Sequence, residues 1–224
     1  MNILALDTST EYCTVALLHE GRLTSNEALA GQKHSEVILS MIDALLHASN
    51  LELTHLYGIA FGAGPGSFTG LRIACGVAQG LAFGAGLRVV PVGTLLALAE
   101  SVGTPRVVTC LDARMGEIYH AAYRRVGAGW RETVPPNVCR AGAAPELEGA
   151  GWVGCGNGFA VYGDALAARY RGQLTSVQSQ AFPHAREIVQ LAYPMFADGR
   201  GVAAEYAVPL YVRDKVARKM HEQS

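Results

Sequence analysis

Lysine is scarce in this 224-residue chain: Lys33, Lys215 and Lys219 are the only three. Charge of both signs is thin, at 17% of residues, and 18 basic against 19 acidic side chains leave a formal charge of −1. A protein that grips nucleic acid alone usually presents a basic surface, because phosphate contacts supply much of the affinity. Tight, independent tRNA or DNA binding is therefore not expected. The cysteines Cys13, Cys75, Cys110, Cys139 and Cys155 are odd in number and form no C-x-x-C pair. That argues against a disulfide framework or structural zinc and for free thiols in a reducing compartment. The opening MNILALDTST lacks the basic and long apolar stretches of a signal peptide. No apolar run reaches the length of a membrane span. The expectation is a cytoplasmic protein with no membrane partner.

Apolar residues, by contrast, make up half of the chain. The length allows one large domain or two small ones, with ample core. Asn2–Asp7 is a short apolar run ending in DTST, and YCTVALL and GRLTSNEAL follow across a tight HEG turn; together they predict a three-stranded meander. His34–Asn50 has helical period. The strand YGIAF, a glycine loop and a long helix from Ser67 come next, then the strand Arg88–Val92 and the helix TLLALAESV with Thr94 as N-cap. Near Gly103-Thr104-Pro105 the pattern restarts: RVVTCLD ends in Asp112 as the first strand ends in Asp7. A duplication with boundaries at 1–103 and 104–224 follows, its second copy degraded. In that copy, Pro135–Gly151 reads as loop, GWVGCGNGFAVYGDALAARY as strand, turn and helix, and Ala185–Ala197 as a helix that Pro194 kinks or ends. The tail VPLYVRDKVARKM mixes apolar and basic residues, and periodicity does not place it.

Phe61–Gly84, FGAGPGSFTGLRIACGVAQGLAFG, is the most informative stretch. A strand, a glycine loop and a helix N-terminus are the right context for phosphate. The spelling is not: no Gly-Lys-Ser/Thr occurs, Gly64-x-Gly66-x-x-x-Gly70 is one residue too long for a dinucleotide fingerprint, and G-x-S-x-G is absent. A tight turn shaped by Gly62, Gly64 and Gly66, with Ser67 as N-cap, accounts for the loop. Beyond it, Gly70, Gly76 and Gly80 stand inside the helix at about 1 kcal/mol each relative to alanine. Such a cost makes sense where another backbone approaches closely.

Arg72 and Gln79 are the only long polar side chains of that helix and point nearly the same way. On the first helix Val37, Ile38, Leu39, Met41, Ile42, Leu45 and Leu46 sweep an arc wider than the ~100° stripe of a one-sided helix. Either the helix is sandwiched in its own fold or the surplus meets a partner. Two neighbouring helices with the same surplus favour a subunit interface of Val37, Ile38, Met41, Ile42, Leu45, Arg72, Ile73, Gly76, Gln79 and Gly80. In this reading Arg72 and Gln79 hydrogen-bond at its edge.

ILALDTST, HSEVILSMIDALL, GIAFGAGPGSFTGLRIACGVAQGLAFG, VVPVGTLLALA and LDARMGEIY resemble, in order and spacing, the TsaB (YeaZ) family. The likeness is dense from Ile3 to Tyr119 and thinner afterwards. It implies an α/β, actin-like (hexokinase/Hsp70-type, ASKHA) fold of two related lobes, the second reduced. It also implies a part in making N6-threonylcarbamoyladenosine at position 37 of tRNAs reading ANN codons. In that system a TsaD-type subunit is catalytic, a TsaE-type ATPase joins the assembly, and TsaB carries no chemistry. The chain then forms a homodimer when alone, a heterodimer with the TsaD-type subunit, and meets tRNA only through the complex. The catalytic relative carries an H-x-x-x-H metal pair where this chain has Thr94 and Leu98, and leucine cannot ligate a metal. No metal site is expected, and His34, His47 and His55 read as surface or capping residues. Asp7, Thr8, Ser9 and Thr10 resemble the superfamily's first phosphate loop, which without its companions implies at most weak ATP or ADP binding and no resident cofactor. Two alternatives compete. A small ATP-dependent phosphotransferase would use Asp7 and Asp112 on Mg²⁺ and GCGNGFAVYG at the adenine; a metallopeptidase would need the missing histidines.

Overall fold

The computed structural model describes residues 1–212. The meander forms as expected, with β1 (Ile3–Asp7), β2 (Tyr12–His19) and β3 (Arg22–Leu29). Next come α1 (His34–Ala48), β4 (Gly58–Gly64), α2 (Phe68–Ala85), β5 (Arg88–Gly93) and α3 (Thr94–Val102). The restart at β6 (Arg106–Arg114) leads through β7 (Glu117–Val126) and β8 (Gly129–Arg140) to β9 (Trp152–Cys155). Then α4 (Gly158–Val161), α5 (Gly163–Arg169), β10 (Leu174–Gln178) and α6 (Ala185–Ala197) complete the elements.

The two sheets repeat one topology. The first runs β3-β2-β1-β4-β5 and the second β8-β7-β6-β9-β10. In each, the first three strands are antiparallel and the last two join in parallel. Parallel neighbours need a crossover. In the first lobe α1 supplies it between β3 and β4. In the second, only a single 3-10 turn (Ala141–Ala143) and loop lie between β8 and β9. The second lobe is therefore the reduced one.

Each lobe sends its last helix to the other. Leu95, Leu98 and Ala99 of α3 pack with Val107, Leu111, Ala121 and Tyr123 of the second sheet. Ala185, Ile188, Val189, Ala192 and Phe196 of α6 pack with Ile3, Ala5, Ala60 and Val90 of the first. A line at 103/104 thus separates the sheets, yet residues after 184 return to the first lobe. There Val202 bridges to Val89 at the β5 edge.

Three local expectations change. Pro194 neither ends nor interrupts α6, which runs three residues further; so close to the C-terminus its missing N–H removes one bond. Pro135–Arg140 is strand rather than loop, because β8 is an edge strand where proline is tolerated. Gly93, not Thr94, caps α3; the Thr94 hydroxyl donates instead to the Pro65 carbonyl. Among the described residues no helix is long and apolar enough to cross a membrane. The five cysteines are free thiols, and all but the half-buried Cys139 are buried.

Candidate functional site

Ser67 caps α2 as expected, its hydroxyl accepting from the Gly70 N–H at 3.3 Å. The glycines around it have separate roles. Gly62 leaves room for the Asp7 carboxylate, and Gly64 has φ +120°. A Cβ at Gly66 would sit 2.7 Å from the Ser9 carbonyl oxygen, and one at Gly70 would land on the Thr8 carbonyl oxygen. The β4–α2 loop is thereby pressed onto the turn that follows β1.

That pressing uses up the groups a phosphate would need. The Thr8 hydroxyl donates to the Gly70 carbonyl at 2.7 Å, and the Ser9 carbonyl accepts from the Ser67 N–H at 2.8 Å. Asp7 is fully buried; its Oδ1 accepts from the Ser9 N–H at 3.0 Å and the Ser9 hydroxyl at 2.8 Å, while Oδ2 has no partner. Burial pushes the Asp7 carboxyl up to about 6, against the pull of those Ser9 bonds. Of the four loop residues only Thr10 is partly exposed.

Between the lobes lies an open cleft of about 550 Å³, edged by Ser9, Thr10, Ser67, Asp112, Asn157 and Tyr211 among others. Asp112, the second lobe's counterpart of Asp7, is also occupied. Its Oδ1 accepts from the Arg114 N–H at 2.9 Å and the Tyr162 hydroxyl at 3.1 Å, and its Oδ2 pairs with the Arg114 guanidinium at 3.1 Å. Asn157, from the stretch read as an adenine pocket, accepts from the Asp112 N–H at 2.8 Å. The arrangement offers neither a free carboxylate pair for Mg²⁺ nor an open first phosphate loop, so its residues do not fit a bound metal–nucleotide.

The helices divide the expected interface. Ile38, Met41, Ile42 and Leu45 are buried in the first lobe's own core with Leu4, Leu6, Val15 and Phe61. The wide arc of α1 is a sandwich: the helix lies across β2 and against α2, so apolar residues are needed on two sides. These four, expected at a partner face, are instead covered by the chain's own core, and Val37 edges it. The outward side of α1 carries Ser40, Asp43, Ala44 and His47, with Leu39 also exposed. His34 is buried with Nε2 unbonded, unlike the surface role expected, whereas His47 is exposed and His55 accepts from the Glu52 N–H.

On α2 the outcome differs. Gly76, Gly80 and Gly84 are exposed, and a Cβ at any of them would meet nothing within 4 Å. No described residue requires glycine there. Ile73 and Val77 are half-buried beside them, and Phe83 is 81% exposed. Gln79 and Arg72 each make a hydrogen bond within the chain. Gln79 Nε2 donates to the Ala207 carbonyl at 2.8 Å, and Arg72 Nε to the Tyr211 hydroxyl at 3.3 Å. They hold the segment after α6, which periodicity had not placed; its alternating Tyr206, Val208 and Leu210 were the only hint of an extended strap. The remainder of the tail, from Arg213, lies outside the described residues.

Thr94 and Leu98 are both fully buried. Among the described residues no group of three or more His, Cys, Asp or Glu side chains is placed to hold a metal ion.

The family model described as TsaD, tRNA N6-adenosine threonylcarbamoyltransferase, matches residues 25–220. The tRNA threonylcarbamoyladenosine biosynthesis protein TsaB of Escherichia coli K12 is 39% identical, covering 98% of this chain and 97% of its own length. Its Haemophilus influenzae counterpart of the same name is 37% identical over 98% and 96%. A Pseudomonas aeruginosa crystal structure, described as an uncharacterized protein with similarity to peptidase YEAZ, superposes with TM-score 0.89 at 38% identity, covering 95% of this chain and 99% of that one. The duplicated α/β sheets are thus the two lobes of an actin-like fold. Matched over nearly its whole length, the chain belongs to the TsaB (YeaZ) family.

Proposed function

We propose that this chain is the non-catalytic partner subunit in the formation of N6-threonylcarbamoyladenosine at position 37 of ANN-decoding tRNAs, and that it supports a TsaD-type catalytic subunit by docking against it. The observation that carries the reading is the glycine stripe of α2. Three glycines within one helix, at about 1 kcal/mol each, have no packing reason among the described residues. They have a reason if a second backbone lies against them. Ile73 and Phe83 border that stripe as apolar contacts, at about 1.5–3 kcal/mol for each large side chain fully buried.

The buried Asp7 and the paired Asp112 support the absence of chemistry in this subunit. They also limit any ATP or ADP at Asp7–Thr10 to weak binding, leaving nucleotide to the partners, a TsaE-type ATPase included. In the isolated protein the same face pairs two copies. A net charge of −1 fits contact with tRNA only through the complex, and five free thiols fit the cytoplasm.

The test is reconstitution. The purified chain alone should transfer no threonylcarbamoyl group to tRNA and should bind tRNA weakly. Adding it to the TsaD-type subunit of the same organism should support activity. Gly76→Leu, checked for folding by circular dichroism, should abolish both pairing and support. A folded Gly76→Leu chain that binds the catalytic subunit with wild-type affinity would place the interface elsewhere.

A further inference from the structure

We propose that Arg114 is a contact residue for the catalytic subunit, its guanidinium set on the lip of the interlobe cleft by Asp112 to take a carboxylate of that subunit. This rests on the partner reading above and goes beyond it, because the contact lies on the second lobe and gives the LDARMGEIY stretch a role. The β6–β7 hairpin is distorted at this point. Its register passes from Asp112 opposite Ile118 to Arg114 opposite Glu117, so Ala113 is an extra residue on β6. A bulge of this kind re-aims a side chain. Arg114 has φ +63° and Met115 φ +58°, ahead of Gly116 at +79°. Met115 and Gly116 fill a two-residue turn that demands such backbone. Arg114 lies before the turn, still in strand pairing, and is left-handed all the same. That conformation is costly for an L-residue with a Cβ and open to glycine.

Asp112 holds the strained residue in place. Its Oδ1 accepts from the Arg114 N–H at 2.9 Å and its Oδ2 pairs with the guanidinium at 3.1 Å. Asp112 is itself fixed, its N–H donating to Asn157 at 2.8 Å and its Oδ1 accepting from the Tyr162 hydroxyl at 3.1 Å. All of this steadies an arginine whose side chain is 87% exposed. Packing gives no reason for arginine there, and glycine would take the backbone without strain. Strain upheld by its surroundings points to a side chain in use. Among the described residues the guanidinium pairs with Asp112 through Nη1; Nε and Nη2 form the edge that a planar acceptor meets at two points. Asp112 stands beside it, Glu117 across the hairpin and Glu11 on the first-lobe wall of the cleft. An RNA backbone would bring several charges against those carboxylates, whereas one carboxylate brings a single charge and matches the fork. The subunit on α2 comes within reach. Ser67, Phe68 and Thr69 edge the same cleft as Arg114, and Gly76 lies about 12 Å along the helix from Phe68. Asp112 is thus a positioning residue, a use for the second strand-end aspartate that involves no metal.

Titration of the full chain against the purified TsaD-type subunit tests this, together with urea denaturation of the chain alone. Arg114→Gly keeps the left-handed backbone and removes the guanidinium. It should raise the urea midpoint and weaken the heterodimer at least tenfold. Arg114→Lys, charged but without the fork, should weaken it several-fold. Asp112→Ala should weaken binding in the wild-type background and add nothing in the Arg114→Gly chain, which an aspartate acting only on the fold would not do. If the wild type binds and Arg114→Gly binds equally well, the arginine is no contact, while the partner reading stands. A lowered midpoint in Arg114→Gly would make the arginine structural and overturn the inference. Unchanged heterodimer affinity with weaker tRNA binding by the complex would turn the guanidinium toward RNA and overturn it too. A wild-type chain that does not bind the subunit sinks the partner reading and this inference with it.

Discussion

The two lobes share one strand order and differ in what stands on it. In the first, two long helices cover the outer face of the sheet, and one of them carries three glycines that no described residue covers. In the second, α1 has no helical counterpart and α4 and α5, four and seven residues long, stand where α2 has eighteen. The strand-end aspartates diverge in parallel. Asp7 is walled in by a glycine-bearing loop, whereas Asp112 stays at the cleft, bonded to Arg114 and Tyr162. One duplicated frame thus carries a helix-covered lobe and a reduced one, and in both the strand-end aspartate is engaged by its neighbours.

Glycines sharpen this contrast first. Gly70 and Gly76 are six residues apart on one helix, and their substitutions should have opposite signs. Gly70→Ala puts a methyl on the Thr8 carbonyl oxygen, where only backbone could yield; it should cost about 3 kcal/mol or more, or prevent folding. Urea denaturation measures this, and an unchanged midpoint would contradict the close approach of loop and turn.

A pair of buried titrating groups, one per lobe, gives the next effect. Asp7 is pushed up to about 6 by burial, and His120 is held down to about 4 by burial and by Arg169. Between about pH 4 and 6 the folded chain keeps a proton on Asp7 that the unfolded chain releases, so this group makes stability fall as pH rises. From about pH 4 to 6.5 the unfolded chain protonates His120 and the folded chain does not, so this group makes stability rise with pH. Each amounts to about 3 kcal/mol at ~1.4 kcal/mol per unit, and the two nearly cancel. Relative to wild type, Asp7→Asn should add a rising slope across that window and His120→Gln a falling one. Two variants with parallel stability–pH curves would refute the assignment.

Gly76→Ala should then raise the folded monomer's stability by up to about 1 kcal/mol, since the added methyl meets none of the described residues. A destabilised monomer would reveal an intrachain neighbour that the open face excludes. Smallest of all is Arg114→Ala. Its guanidinium is 87% exposed in the ion pair with Asp112, so stability should change by less than about 0.5 kcal/mol.

Much of this architecture is readable from residues. The meander, the restart at Arg106, the Ser67 cap and the helix bounds of α3 and α6 follow from period, glycine punctuation and the repeated strand-to-aspartate pattern. The burial of α1 was not legible, because a wide apolar arc does not say whether its second cover is the chain's own sheet and helix or a stranger. Ile38, Met41, Ile42 and Leu45 look the same in either case. The strap was missed for a related reason: three alternating apolar residues have no address until Gln79 and Arg72 of a distant helix are seen to hold them.

The sequence alone determined the duplicated strand pattern, the family and the unusual glycines of the second helix, because these depend on local period, spacing and residue type. Only the tertiary structure decided which apolar residues are covered, where the tail runs and whether Asp7 and Asp112 are free. Each of those depends on contacts between residues tens of positions apart, and no local pattern encodes which surface a side chain will meet.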